Sequence, residues 1–536
     1  MEQQDLNKRL LLVLVFAIFI FAGSNYFFPV KPKQVSANDT NVSTLTKTTN
    51  RVAAPTPVGD TLKPKTSLAV TAETIVTVKS DIYSLSMDAY GRVSQVELLQ
   101  DKYLDENDET AKLYDNVSSG TKYVRPLAIR FSTAALDEEA AKTPYVYTGS
   151  KEVDISNGPQ TLTFTQTLSS LTLTKKITFY RNGKYDVEVT GSTAADFFIT
   201  PGHRPVSDKS MYMLVRGALI KTSDNLIKTI EDGDMDKAEE KYAHAKIASA
   251  FDRYLASMFF DFNQGLNVSI MKDGEDDPLI FVHGNKHLAF SAYIGPKETE
   301  VLKSIHPELV DAIEFGWFSF IAKPFYSILL WINGLVGNWG WAIILFTLLI
   351  KMLLFPLTYK GMMSMQKLKD LAPKMKALKE KYKGNPSQMN VKMMEMYKNE
   401  KVNPMGGCLP LLLQIPVFFA LYRVLLNAVE LEGAPWILWI ENLAMMDPYY
   451  VLPVLMGVSM WFQQRITPSN FQDPLQEKIF KWFPVLMTVF FVYFPSGLVL
   501  YWLVNNLFTI AQQYYINRMY AKQKANAIAT HTKKKG

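Results

Sequence analysis

Apolar positions follow two rhythms along this chain. Near the N-terminus and beyond residue 339 they run together in blocks, while in between they alternate with polar ones. "KRLLLVLVFAIFIFAGSNYFF" (8–28) is such a block, close to the ~20 residues a membrane span needs, with basic residues ahead of it. The apolar run passes the small residues Ala22-Gly23-Ser24 and continues through Phe27 and Phe28. That continuation favours an uncleaved anchor (1–30) over a signal peptide. Segment 31–68 is rich in Thr, Ser, Asn, Pro and Lys and has almost nothing large and apolar to bury, so it reads as a disordered linker.

From Glu73 the alternation sets in. "TLTFTQTLSSLTLTKKITFYRNGKYDVEV" (161–189) has the period of half-buried strands and breaks at Asn182-Gly183, a hairpin-turn signal. Similar runs recur to Tyr293. They predict an antiparallel β domain of sandwich type over 69–312, with a helix near "DMDKAEEKYAHAKIASAFD" (234–252). The acidic stretch "DGEDDP" (273–278) reads as a solvated turn in preference to a calcium loop.

Residues 313–338 are apolar but are interrupted by Lys323-Pro324 and punctuated by Trp317, Trp331 and Asn333, which suits a helix lying in the membrane interface. Five later blocks read as spans: 339–359, 408–429, 449–464, 482–494 and 498–516. A helical hairpin (360–407), loops 430–448 and 465–481, and the tail 517–536 connect or follow them. Charge then fixes the orientation. Segment 360–403 holds 11 Lys against 4 acidic residues, and the tail holds six Lys/Arg and no acid. Loop 430–448 carries Glu430, Glu432, Glu441 and Asp447 and no base. Six spans threaded from a cytoplasmic N-terminus put both basic segments inside and the acidic loop outside, as the positive-inside rule asks. A seventh span at 313–338 would reverse this. The expected fold is therefore multi-domain: a polytopic α-helical membrane protein with six transmembrane helices and a large all-β extracytoplasmic sandwich.

Composition sharpens this only a little. The net charge of +6 comes from lysines concentrated beside the spans, which gives no nucleic-acid signature. The single cysteine, Cys408, excludes an intrachain disulfide. No P-loop pattern occurs, and no metal or other cofactor is implied.

Candidate chemistry lies in the polar residues of the spans. Lys351 interrupts "LFTLLIKMLLFPLT" nine residues before Lys360, a depth of about 13 Å. A lysine at a helix centre costs about 2.5–3.5 kcal/mol on insertion. No Asp or Glu stands in the five C-terminal spans to pair with it. It snorkels, deprotonates or faces a water-filled cavity. Thr347 shares its helical face. Asn505, Asn506, Thr509, Gln512 and Gln513 fall at offsets 0, 1, 4, 7 and 8, one face of the last span, and serve either as a groove lining or as interhelical glue. Gln414 and Gln463-Gln464 add amides open to both readings, and Arg423 reads as an interface anchor. The segment 482–494 is short for a span, so a locally thinned bilayer is expected. In the hairpin, broken at Gly384-Asn385-Pro386, the methionine-rich positions form either an adaptable docking surface or simply the seam between two helices.

"KVNPMGGCLPLLLQIPVFFALYRVL" (401–425), "DPYYVLPVLMGVSMWFQQRITP" (447–468) and "FPSGLVLYWLVNNLFTIAQQ" (494–513) closely resemble the YidC/Oxa/Alb family of membrane protein insertases. With "FPLT" after Lys351 the likeness covers roughly 320–520, and the upstream layout resembles the Gram-negative long form with a periplasmic β-supersandwich. The resemblance implies a non-enzymatic insertase and membrane chaperone of the bacterial inner membrane, acting alone or beside the Sec translocon on nascent membrane proteins in the phospholipid bilayer. It implies no direct nucleic-acid function. It places the family's groove cation, usually arginine, at Lys351. Lysine keeps the charge but loses the fixed fork of the guanidinium. Thr347 matches a groove threonine, Trp502 stands where the family has tyrosine, and Gln414, Asn505 and Thr509 complete the expected substrate groove. The hairpin matches the family's coiled-coil hairpin, which implies contacts with the ribosome and the signal-recognition-particle receptor through residues such as Lys367, Lys374, Met375, Met393 and Met394. Two rival functions fit less well. A small-solute transporter or channel would show ionisable relays or inverted repeats. A membrane-anchored periplasmic carbohydrate-active enzyme would need more than the scattered His203 and Asp208.

Overall fold

Strand alternation is visible side chain by side chain in the computed structural model, which describes residues 73–103, 110–114, 124–205, 215–273, 276–382, 384–400, 402, 409–467 and 474–533. The predicted anchor (1–30), the linker (31–68), Cys408 and Asp208 lie outside the described residues. In Gln160–Thr167, Thr172–Phe179 and Lys184–Gly191 buried and outward positions alternate, and the three strands pair antiparallel in sequence. The second turn runs through Asn182-Gly183, where Gly183 has φ 83°, a conformation that costs glycine little. These strands belong to a 13-stranded sheet, and a second sheet has five strands. The smaller sheet is not wholly antiparallel, because Thr74–Lys79 pairs parallel with Glu152–Asp154. Lys175 ties the two sheets' surroundings together. Fully buried, it donates from Nζ to the carbonyls of Gly91 and Leu127, both at 2.8 Å, and sits over the Tyr145 ring. Burial pushes its amine down to about 7.

The helix expected near 234–252 is absent; that stretch forms strands Glu239–Ala245 and Ile247–Phe251. The first pairs with Leu266–Lys272, and the second lies between Gly217–Lys221 and Leu255–Phe260. All five residues of Ile247–Phe251 are buried. A strand covered on both faces shows no alternation, so its sequence was ambiguous, and pairing on both edges outweighs the helix propensity of its alanines. The β domain does contain a short helix, α1 (Ala134–Lys142). The acidic turn closes on itself, with the Asp277 amide donating to the Asp273 carboxylate (2.8 Å).

After α2 (Thr299–Ile305) the chain becomes helical: α3 (Ser319–Val336), α4 (Trp339–Lys381), α5 (Pro386–Asn399), α6 (Leu409–Asn427), α7 (Val451–Ile466), α8 (Pro474–Phe491) and α9 (Ser496–Lys533). Gly337 ends α3 in the left-handed conformation, and the Asn338 side chain caps α4 by accepting from the Trp341 amide. Among the described residues, Ser319–Val336 and Trp339–Leu378 are long and apolar enough to cross a membrane. The predicted span 339–359 and the first hairpin arm are one continuous rod, α4. Asn385 caps the second arm by accepting from the Gln388 amide, with Pro386 at its first position. Helix α8 starts eight residues before the predicted apolar segment and ends three residues short of it, because its first turns carry Lys478 and Lys481.

The β domain is bonded to one end of the helices. Arg253 Nε donates to the Leu426 carbonyl (2.7 Å), and Asn427 Nδ2 to the Glu314 carbonyl (2.7 Å). Thr299 donates its hydroxyl to Tyr326 on α3 (2.8 Å), whose own hydroxyl donates to Glu430 (2.5 Å). Asp311 holds both Lys221 (2.7 Å) of the β domain and Lys323 (2.5 Å) of α3. Arg423 pairs with Glu314 at 3.6 Å, so it faces this junction.

Candidate functional site

Helices α4 and α9 meet along a polar seam centred on Lys351. The surrounding sequence, "LFTLLIKMLLF", is built from good helix formers and branched apolar residues, so the lysine is carried inside the apolar first part of α4, about 18 Å from its start. Its half-buried side chain donates from Nζ to Thr509 Oγ1 on α9 at 2.9 Å. The same hydroxyl donates to the Asn505 carbonyl at 2.7 Å, so its proton is committed and its oxygen is free to accept. Among the described residues no carboxylate pairs with this ammonium. One of its three N–H groups is used, and the other two remain to bind water or an incoming acceptor.

Thr347 does not join this arrangement. It is 2% exposed, and its hydroxyl donates to the Ile343 carbonyl one turn earlier (2.7 Å). A threonine inside an apolar helix satisfies itself on its own backbone when no outside partner reaches it. Gln414 on α6 donates to the hydroxyl of Tyr501 on α9 at 2.9 Å. Tyr501 is the residue that reading the sequence missed; it lies one turn ahead of Asn505 on the same face, and that spacing was the available signal. Trp502 sits edge-on to Phe418 (4.7 Å) and against Phe491 (5.1 Å), in an aromatic cluster between α9, α6 and α8.

The polar stripe of α9 therefore divides. Asn506 is buried and donates to Ser459 on α7 (3.1 Å), and Gln513 donates to Asn517 (2.6 Å), which bonds Gln366 of α4 and donates to the Ile466 carbonyl (3.2 Å). These residues join helices. Asn505, Thr509 and Gln512 lie on the Lys351 side by helical spacing, and the buried Oε1 of Gln512 has no hydrogen-bond partner among the described residues. Gln464 donates to the Phe480 carbonyl (3.0 Å) and joins α7 to α8.

In the hairpin, Met375 is buried with Leu371 and Val402, and Met393, Met396 and Tyr397 pack against them. Met375, buried, and Met393, half-buried, thus form the seam between α4 and α5, because two short helical arms have little else to bury between them. Lys374 is exposed and pairs with Glu400 (2.5 Å), Lys367 is exposed, and Met394 is 63% exposed. The extension of α9 braces the first arm, with Tyr520 and Lys524 both reaching Asp370 at 2.9 Å.

The resemblance implied a cation at Lys351, and the structure seats that side chain on the Thr509 hydroxyl of the neighbouring helix. Residues 331–524 match the model of the 60Kd inner membrane protein family, and residues 269–328 match that of the YidC periplasmic domain. The chain is 46% identical to the membrane protein insertase YidC of Wolinella succinogenes over 98% of each chain. It is 45% identical to that of Campylobacter jejuni, over 96% of this chain and 97% of the relative, and 39% identical to that of Helicobacter pylori over 98% of each. Identity sustained across the β domain and the helices alike leaves one conclusion: the chain belongs to the YidC family of membrane protein insertases.

Proposed function

We propose that this insertase works through the seam between α4 and α9, used as a one-sided, cytoplasm-facing groove that receives the short hydrophilic end of a nascent membrane protein. The observation that carries this reading is the Lys351–Thr509 contact, which holds an ammonium inside the apolar stretch of α4 with no carboxylate among the described residues to neutralise it. An acidic or polar substrate end is drawn to that charge while its apolar segment slides along α6 and α8 into lipid. Partitioning of the apolar segment supplies the free energy, helped by the membrane potential at about 2.3 kcal/mol per charge per 100 mV. No bond is made or broken.

The orientation adopted is six spans, with the periplasmic domain outside and α3 lying in the interface. The length of α3 alone would also permit a span. Two contacts favour the flat position. Tyr326 in α3 bonds Glu430, and Asn338, just past its far end, donates to the Pro435 and Trp436 carbonyls (3.1 and 3.3 Å). Residues 326 and 338 are about 18 Å apart along a helix, yet both reach the loop between α6 and α7. The hairpin then faces the cytoplasm, where its exposed lysines and Met394 suit the ribosome and the targeting receptor. A Sec translocon beside the groove fits the same orientation.

Photocrosslinking tests this. A photoreactive residue at Asn505 or Gln414, both half-buried, should capture a stalled, ribosome-bound membrane nascent chain. Labelling of those positions by small solutes but never by nascent chains would instead support a transporter.

A further inference from the structure

The loop between α6 and α7 holds a leucine in a conformation its backbone does not favour. Leu438 has φ 55° and is 80% exposed. A branched aliphatic residue rarely adopts the left-handed region, and Gly or Asn would hold the same turn with less strain. Tyr450, in the same loop, repeats the pattern with φ 58° and 47% exposure. Strained positions of this kind persist only where the surroundings fix them, and here they do. The Trp436 amide donates to the Ile440 carbonyl (2.9 Å) and the Leu443 amide to the Ala434 carbonyl (3.0 Å). The Trp439 indole donates to buried Asp447 (2.9 Å), and the Trp436 ring lies against Gly340, where no side chain would fit. The turn is rigid, and its tip is apolar.

We infer that the turn Ile437–Ile440 is a lipid-inserting wedge, with the Leu438 side chain seated among the acyl chains of the leaflet on the β domain's side. The occupant follows from continuity. Trp341 on the outward face of α4 meets Trp436 edge-on at 6.0 Å, so the wedge extends the exposed apolar face of that span formed by Leu345, Leu349 and Leu353. Trp331 and Leu335, at the end of α3, are also exposed and lie next to Gly337 and Asn338, which tie α3 to the loop. Tryptophan and tyrosine around an aliphatic tip are the composition of a membrane–water interface. A wedge there would displace headgroups above the groove and add to local thinning of the bilayer.

This inference rests on the proposed orientation of α4 across the bilayer, and its test separates the two. In the full chain, with its only cysteine changed (Cys408→Ser), Leu438→Cys is labelled with an environment-sensitive nitrobenzoxadiazole and reconstituted in phosphatidylethanolamine–phosphatidylglycerol vesicles. Leu353→Cys, on the outward face of α4, is the acyl-chain control, and Leu226→Cys, exposed in the β domain, is the aqueous control. The expected result is that Leu438 follows Leu353: nitroxide-labelled acyl chains quench it several-fold more than Leu226, and iodide quenches it several-fold less. Iodide quenching equal to that at Leu226 would overturn the wedge, as would shielding from both quenchers, which would mean that protein covers the tip. If Leu353 itself is reached by iodide, the spanning orientation fails, and the wedge falls with it for a different and recognisable reason.

Discussion

Arg253 of the β domain donates its Nε hydrogen to the carbonyl of Leu426 in the last turn of α6, across 2.7 Å. The guanidinium is 2% exposed and lies over the Tyr254 ring. It therefore satisfies a helix-terminal carbonyl that has no partner within its own helix, and it favours that end of the dipole. Arg253→Ala should lose a charged hydrogen bond worth about 1.5–3 kcal/mol. The thermal midpoint of the purified full chain should fall by roughly 3–12 °C at 2–4 °C per kcal/mol. An unchanged midpoint would mean that the junction is held by its other contacts, Asn427–Glu314, Tyr326–Glu430 and Asp311–Lys323 among them.

At Lys351 the charge matters more than its geometry, since the contact with Thr509 is a single bond. Lys351→Glu should slow insertion of a substrate with an acidic end by at least about tenfold, equivalent to ~1.4 kcal/mol. Lys351→Arg should stay within about twofold, because arginine carries the same charge and more donors. Thr509→Val removes the seat but not the charge and should fall between the two. The readout is protease protection of a nascent chain inserted into proteoliposomes. Equal loss in the Glu and Arg variants would argue against a charge-based role.

How much of this was legible in the sequence differed with the physics at each position. The alternation in 161–189 reports strands directly, because each strand there has one face in the core. Ile247–Phe251 is covered on both faces and carries no such signal. In α9 the offsets marked one polar face but could not tell Asn505 from Asn506. Which of them joins helices depends on Ser459, 47 residues away in sequence. Thr347 read as a groove residue because it lies one turn before Lys351. Its burial against neighbouring helices is a tertiary fact with no local trace. The same holds for Met375, whose place in the hairpin seam depends on Val402 and Tyr397.

Lys175 predicts a pH dependence whose sign can be worked out. Its folded-state pKa is depressed to about 7 by burial, against 10.5 for the free side chain. Between those values the unfolded chain binds more protons, so stability rises with pH, is fully present above 10.5 and is lost as pH falls through about 7. Lys297, also buried and held at about 8, adds a second contribution of the same sign. Hydrogen-exchange opening energies of Thr172–Phe179, corrected for intrinsic exchange, should therefore increase from pH 7 to 9. Lys175→Met should flatten that rise without abolishing it. An identical slope in the variant would show that the amine stays charged on the Gly91 and Leu127 carbonyls throughout.

Gly457 on α7 faces Thr488 on α8 so closely that a methyl group there would overlap the threonine hydroxyl. The hydroxyl cannot easily turn aside, because it donates to the Pro484 carbonyl at 2.8 Å. Gly457→Ala should cost about 1–3 kcal/mol by overpacking, even though alanine is the better helix former. Gly334 on α3 is the contrast, with nothing within 4 Å of the added carbon. There, alanine should stabilise by up to about 1 kcal/mol through propensity alone. Thr488→Ala should rescue Gly457→Ala but not alter Gly334→Ala, a coupling that a double-mutant cycle on thermal midpoints can read. Strictly additive effects at 457 and 488 would mean that α8 shifts away from α7 as a body, and that the close approach is not what sets its position.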